Sequence, residues 1–524
     1  MEGRARVEEE IAEVGTSTAR MTSFLLAGKL IAFFIAALSL VVVARILGPS
    51  GYGVYVIAIA VAGVAGSVGN FGIGTALTKF ISEYKSKREQ KRINTILSDG
   101  IAILVVAGSI FTILTFLLAG PASYYALHGY TYLYVIQVAS LMIIISILSG
   151  SLYSALIGFG YGAYSALYSV ICIVVQSSVS ISLALLGFGP IAPVLGVILG
   201  QFFGFLFAIY AIYWKGNAAF SMPTIAGMKR LFSFSGPVAV SNFFAAVVND
   251  FSVIFLGIFV VSSVIGNFGI ASRTNFLGDI VVGSIGLAML PGFTRFFSRN
   301  RTREDIGRFY NKALYVSFVV ASPFMFFLIF FAKPVSSLAF GGTYALAPLF
   351  IVIAAIGILI SIFGNYSGTM LISDNRTRDI MKYRGYMFVI QLILMFIMIY
   401  LFQGFGLAVL VFIIGPLLQA FFYIRRIRFL YRIKTEHIKI FRVILSNVAS
   451  FAVVYMLLLW LANNYVYLVP AAMVGIVILY PIVLVAFGGM DKDDASMLRG
   501  LSKSMPVAGR LLSIIVSYSE AFMR

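Results

Sequence analysis

The chain has 524 residues, 61% of them apolar and only 11% charged, and its mean hydropathy is +1.01. A soluble protein carries about 25% charged residues, so a soluble single-core architecture is excluded, and lipid is the solvent that the surplus apolar surface calls for. The formal net charge of +19 would suit a nucleic-acid binder, but its placement along the chain points to membrane topology, and no nucleic-acid partner is expected.

The apolar runs are continuous and about 20 residues long, the length of a helix across a bilayer core. Barrel strands would alternate apolar and polar residues instead, and lipid tolerates only backbone that pairs internally. The expected fold is therefore an all-α polytopic membrane protein with about 14 transmembrane helices. Residues 1–23 read as a cytosolic lead rather than a cleavable signal, because Glu8, Glu9, Glu10 and Glu13 mix acids into a segment that a signal would fill with bases. Fourteen spans follow, at 24–46, 54–77, 99–119, 133–157, 164–187, 191–214, 236–260, 264–290, 313–332, 346–370, 385–402, 406–424, 443–462 and 468–488. With the N-terminus inside, the alternate connecting segments hold 34 of the 38 Lys and Arg, and the outer ones hold Lys333 alone. Cytoplasmic loops collect such charge, so the chain is expected in the cytoplasmic membrane with both termini in the cytosol.

Glycines at 196, 200 and 204 share one face of the sixth span, and Gly63, Gly66, Gly69 and Gly72 recur along the second. Small residues let membrane helices approach closely; flexing of the second span is the other reading. Arg425, Arg426, Arg428, Arg432 and Lys434 alternate with Ile427, Phe429, Leu430 and Ile433, a pattern that suits an amphipathic helix on anionic lipid. The first and fourth pairs of spans share a weak repeat. It divides the chain into an N-lobe at 24–214, a cytosolic linker at 215–235 and a C-lobe at 236–424. A basic loop at 425–442, two further helices within 443–488 and a cytosolic tail at 489–524 complete it. Parallel repeats commonly place a substrate path at their interface.

Charges inside spans are costly and usually face a cavity or a partner. Asp250 falls roughly 20 Å from the inner boundary, and Arg273 roughly 17 Å above it, at 1.5 Å per residue. Two readings stay open. The pair could fix the seventh and eighth helices together. Alternatively, Arg273 meets an anionic phosphate, which its fork of donors suits, while Asp250 or Asp279 exchanges H+ or Na+. Lys29 is either a snorkelling side chain or a guard of the inner mouth. Arg45 is either a headgroup anchor or a cavity residue. Asn249 and Asn275 flank the charged positions and are the amides best placed to meet sugar hydroxyls. No metal-ligand spacing, phosphate-loop motif or catalytic arrangement stands out in the loops, so no cofactor and no enzymatic activity are expected.

The turn Arg45-Ile46-Leu47-Gly48-Pro49-Ser50-Gly51-Tyr52-Gly53 and the continuation Thr78-Lys79-Phe80-Ile81-Ser82-Glu83-Tyr84 resemble polysaccharide biosynthesis and export proteins of the multidrug/oligosaccharidyl-lipid/polysaccharide (MOP) flippase superfamily. Ala271-Ser272-Arg273, with Leu290-Pro291-Gly292-Phe293 downstream, resembles the eighth span of the same group. The resemblance implies two six-helix lobes around a central cavity plus two C-terminal helices. It also implies alternating access that moves lipid-linked oligosaccharide or polysaccharide precursors, carried on a polyprenyl pyrophosphate or phosphate, from the cytoplasmic to the outer leaflet. Lipid II flippases carry arginines in the first span, whereas Phe34-Ile35-Ala36-Ala37-Leu38-Ser39 here has no charge, which favours the broader polysaccharide branch. The alternatives are a cation-coupled multidrug or toxin extruder of the same superfamily and a membrane glycosyltransferase or polysaccharide polymerase.

Overall fold

A computed structural model describes residues 2–216, 218–219, 221–246, 250–274, 278, 282, 293, 297, 302–374, 376–433, 436–461, 465–491 and 494–495. The described secondary structure is helical. Among the described residues, ten helices are long and apolar enough to cross a membrane, and the fold is that of a multi-pass membrane protein. The chain divides into two compact units, residues 1–266 and 267–524.

In the first unit, α1 (Glu2–Gly69) holds two apolar segments joined at Gly48, whose φ of 64° and ψ of 176° break the helix. That conformation is open to glycine and strained for other residues. Pro49 follows, at the start of the second segment, where a missing N–H costs little. The second segment stops at Gly69, and α2 (Ile73–Ser86) resumes after a break in which Phe71 and Gly72 both have positive φ. Next come α3 (Gln90–Leu117), the short α4 (Ala119–Ala126), α5 (Leu133–Gly158), α6 (Gly162–Leu185) and α7 (Ile191–Gly216). The glycine face of α7 packs on α6 as its spacing foretold. A methyl group on Gly196 would sit 2.6 Å from the Gln176 carbonyl oxygen, and one on Gly200 2.5 Å from that of Cys172. The unit ends with α8 (Ile225–Ala246), a π-helical turn at Asp250 and Phe251, α9 (Ser252–Phe259) and the start of α10 (Ser262–Ser272). Gly53 and Gly266 each lie so close to the other strand of chain that a side chain would overlap the carbonyls of Ser262 and Pro49 respectively.

In the second unit, α11 (Arg303–Phe340) begins under a Thr302 cap, whose hydroxyl oxygen accepts from the Asp305 amide at 3.2 Å, with Glu304 and Asp305 in its first turn. Its partner α12 (Ala347–Ser373) is capped by the buried Asn267, whose Oδ1 accepts from the Leu346 and Ala347 amides at 3.1 and 2.8 Å. Between them, Tyr310 and Ser367 share a 2.9 Å hydrogen bond, and Ser317 donates to the Tyr366 hydroxyl at 2.5 Å. Then come α13 (Thr377–Val409), a π turn at Leu410–Ile414 and α14 (Gly415–Tyr431). The chain doubles back near 403–405. A methyl group on Gly406 would overlap the carbonyl of Met398, eight residues away, which in a straight helix would lie about 12 Å off. Finally, α15 (His437–Leu461) and α16 (Tyr465–Ala486) pack on α11, where the Asn447 amide donates to Ser322 Oγ at 2.8 Å and the Tyr480 hydroxyl to the Val319 carbonyl at 3.2 Å.

Several helices run well past their apolar stretches at the basic end. Residues 303–312, 377–384 and 425–431 are helix, although their charges mark them as loop. The basic stretch after residue 424 is thus no separate surface helix. Ile427 is buried, and Arg426 pairs with Asp379 of α13 at 2.9 Å.

Candidate functional site

Asp250 sits at the π turn that separates α8 from α9, half-buried, with its carboxylate laid over Gly63 of α1. A methyl group at Gly63 would stand 2.9 Å from Oδ2 and 3.1 Å from Cγ. Glycine in the second span therefore makes room for a charge, a use beyond helix-to-helix packing. Seven residues on, the same span breaks. The Asn70 carbonyl accepts from the Ile73 amide at 3.0 Å, and Phe71 packs its ring on Phe111 and Phe232. Asn70 Oδ1 is buried and meets no donor among the described residues.

Arg273 belongs to the second unit. It stands at the turn that ends α10, where its amide donates to the Ile270 carbonyl at 3.1 Å, and its side chain is exposed. Ser272 and Thr274 turn their hydroxyls back onto the carbonyls of Gly269 and Ala271. Both described charges of the seventh and eighth spans thus stand where the regular helix is interrupted. Interruptions expose backbone polar groups, which membrane proteins tolerate only against protein or water, and π turns recur at functional positions. Lys29 and Arg45 are exposed along α1, Arg45 one turn before the Gly48 break. Asn249, Asn275 and Asp279 lie outside the described residues.

Sequence reasoning missed one group altogether. Asp99 of α3 is fully buried, and its carboxylate accepts from the Thr224 amide at 2.5 Å and the Thr224 hydroxyl at 3.1 Å. On the same helix, Ser98 Oγ accepts from the Ser221 amide at 2.8 Å and Asn94 Oδ1 from the Ala219 amide at 3.1 Å. Gln90 donates to the Gly216 carbonyl at 3.1 Å. One end of α3 thereby zips down the segment from 216 to 224. The spacing Gln90, Asn94, Ser98 puts three polar side chains on one helix face, which is the signal that could have found it.

A family model for polysaccharide biosynthesis proteins matches residues 18–297, more than half of the chain. The chain belongs to the polysaccharide biosynthesis protein family. Among solved structures, it is similar to the lipid II flippase MurJ in an inward closed conformation, with 15% identity over 92% of this chain and 99% of that one and a TM-score of 0.71. It is likewise similar to an inward-facing multidrug resistance MATE family transporter of the MOP superfamily, at 15% identity over 78% of this chain and 98% of that one, with a TM-score of 0.65. A third similar structure is a MOP superfamily transporter from Pyrococcus furiosus, described by the reverse polarity of its binding pocket. Its identity is 15% over 79% of this chain and 96% of that one, with a TM-score of 0.56. No curated protein matches by sequence. At these identities the structures establish the fold, which is that of MOP transporters.

Proposed function

We propose that the protein is a flippase that moves lipid-linked oligosaccharide or polysaccharide precursors from the cytoplasmic to the outer leaflet by alternating access. The observation that carries the reading is Arg273, an exposed guanidinium at a helix interruption within the eighth span of a polysaccharide biosynthesis protein. A charge at that depth does not face hydrocarbon. A guanidinium offers a planar fork of donors to phosphate, so its ligand is the phosphate or pyrophosphate that joins glycan to polyprenyl. Asp250, housed by Gly63, is the group that exchanges H+ or Na+. Lys29, Arg45 and the amides Asn249 and Asn275 line the path, and Asp279 is a second ion-coupling candidate.

The test is flipping of a defined polyprenyl-pyrophosphate-linked sugar in proteoliposomes of the full chain. Arg273→Ala should abolish flipping, and Arg273→Lys should restore part of it. Undiminished flipping by Arg273→Ala removes the assigned role. Asp250 favours a second reading, a cation-coupled extruder, since a carboxylate suits cationic cargo. Efflux of organic cations that depends on Asp250, without glycan flipping, would establish that reading instead.

A further inference from the structure

The family-like motif Thr78-Lys79-Phe80, with Glu83-Tyr84 beyond it, finds no use in the path described above. Structurally it forms one side of a cationic platform where α2 meets α8. Phe80 and Tyr84, one helical turn apart on α2, stack at 6.2 Å, and Phe234 of α8 meets Phe80 edge-on at 5.6 Å. Lys79 Nζ lies 3.9 Å from the centroid of Phe234 and 5.3 Å from that of Phe80. The Arg230 guanidinium lies 5.0 Å from Phe80 and 5.5 Å from Tyr84. Two cations from two different helices thus share one ring.

The neighbouring acids are already engaged. Glu83 pairs with Lys87 at 2.7 Å and Glu89 with Arg92 at 3.0 Å, and Arg92 also rests over Tyr84 at 5.8 Å. Lys85 is likewise spent, donating to the Phe159 carbonyl at 2.5 Å. Among the described residues, Lys79 and Arg230 make no ion pair with an acid. The rings hold these cations in place by their quadrupoles; Glu83, paired with Lys87, lies near enough to feel both but bonds to neither. Both side chains are exposed. Along the sequence, Lys79 follows the apolar run 54–77 by two residues and Arg230 precedes the run 236–260 by six, so both are expected near the inner membrane boundary.

We propose that Lys79 and Arg230, held over the Phe80–Tyr84–Phe234 rings, capture the diphosphate headgroup of a polyprenyl carrier at the inner leaflet before it enters the transport path. This rests on the flippase reading and adds its first binding step. Two fixed cations on separate helices favour a ligand with two linked phosphates over one with a single charge, because the former offers more negative charge and more acceptor oxygens to the pair.

The test is equilibrium binding of polyprenyl diphosphate, without glycan, to the full chain in nanodiscs of zwitterionic lipid. K79Q and R230Q should each weaken binding about tenfold, the scale of one charge-assisted hydrogen bond. The charge-retaining K79R and R230K should each bind more tightly than K79Q and R230Q, though not fully at the wild-type level where Arg230 loses its ring-stacked guanidinium, which separates loss of charge from loss of fold. Inorganic pyrophosphate should compete, and phosphatidylglycerol added at equal amount should not. Binding by the K79Q/R230Q double variant within twofold of the wild type overturns the proposal. So does displacement by phosphatidylglycerol at equal amount, which would make the platform a general anionic-lipid surface. If the double variant also flips glycan like the wild type, the capture site falls while the flippase reading stands. If wild-type chain neither binds polyprenyl diphosphate nor flips glycan, both fall.

Discussion

Replacing Asp99 by Ala should release the 216–224 segment from α3 without unfolding the helices around it. The carboxylate accepts two hydrogen bonds from Thr224, one from the amide at 2.5 Å and one from the hydroxyl at 3.1 Å. Hydrogen bonds to a charged group contribute about 1.5–3 kcal/mol each. Thr224 itself is exposed, so its freed donors regain water, and removing a buried carboxylate recovers part of its desolvation cost. The net loss is about 2 kcal/mol, roughly thirtyfold in the population of the open segment. Amide exchange at Ser221 and Thr224 reads that population directly. A double cycle with Thr224→Ala should show coupling of about 1 kcal/mol for the hydroxyl's bond to Asp99, because the 3.2 Å bond that the same hydroxyl accepts from the Gly227 amide is lost in both arms and cancels. The reasoning is refuted if exchange at Thr224 in Asp99→Ala stays within twofold of the wild type. Faster exchange spread along the whole of α3 would refute it too, since that signals general unfolding rather than a local latch.

Three further outcomes follow from the packing. Gly200→Ala should destabilise the chain by about 1–3 kcal/mol, as in other overpacked sites, because the new methyl meets the Cys172 backbone at 2.5 Å, which cannot rotate away; thermal unfolding in detergent measures it, with Gly66→Ala, where no atom lies within 4 Å, as the neutral comparison. Gly48→Ala should cost about 1–3 kcal/mol through backbone strain alone, since open space surrounds that position, and the same melts read it. Just beyond α16, burial works to raise the Asp491 carboxyl, but the Asp494 amide at 2.8 Å and Lys439 at 2.9 Å hold it down at about 2. A depressed carboxyl stabilises above its ordinary range and loses that effect as pH falls through its folded value. Amide exchange at Asp494, corrected for intrinsic rate, should therefore quicken between pH 4 and 2, and Asp491→Asn should abolish the change. Burial raises the neighbouring Asp494, whose own contribution runs the other way, being fullest at low pH, so the D491N comparison isolates the depressed group.

The membrane architecture was legible because apolar length is a direct reading of bilayer thickness. The same measure is blind to helix that continues into water. Arg303–Lys312 and Arg425–Tyr431 look like loops by hydropathy, yet they extend α11 and α14, where a Thr302 cap and an Arg426–Asp379 pair sustain them. The break at Gly48 could be foreseen from Gly-Pro. The one at Asn70-Phe71-Gly72 could not, because the positive φ of Phe71 is held by ring contacts with Phe111 and Phe232, residues 40 and more positions away. Asp250 and Arg273 stood out because charge in hydrocarbon demands a reason. Asp99 did not, because it lies at the edge of an apolar run and its partner is 125 residues distant.

That Asp250 and Arg273 both fall at helix interruptions ties the two kinds of signal together. A π turn or a helix end leaves backbone carbonyls and amides without their regular partners, and lipid cannot supply any. Such a break persists in a span only where protein or water reaches it. An ionised side chain in a span has the same requirement. Each feature alone admits a packing explanation, a glycine-rich kink or a buried ion pair. Their coincidence at the same turn of the seventh span, with Gly63 leaving space for the carboxylate, is what a hydrated path needs and what tight packing would remove. The same logic separates the flanking glycines. Gly196 and Gly200 meet backbone carbonyls and are structural, whereas Gly63 meets a titratable side chain. A side chain there would displace the Asp250 carboxylate, so under the proposed function loss of this glycine acts on ion coupling rather than on the union of two helices.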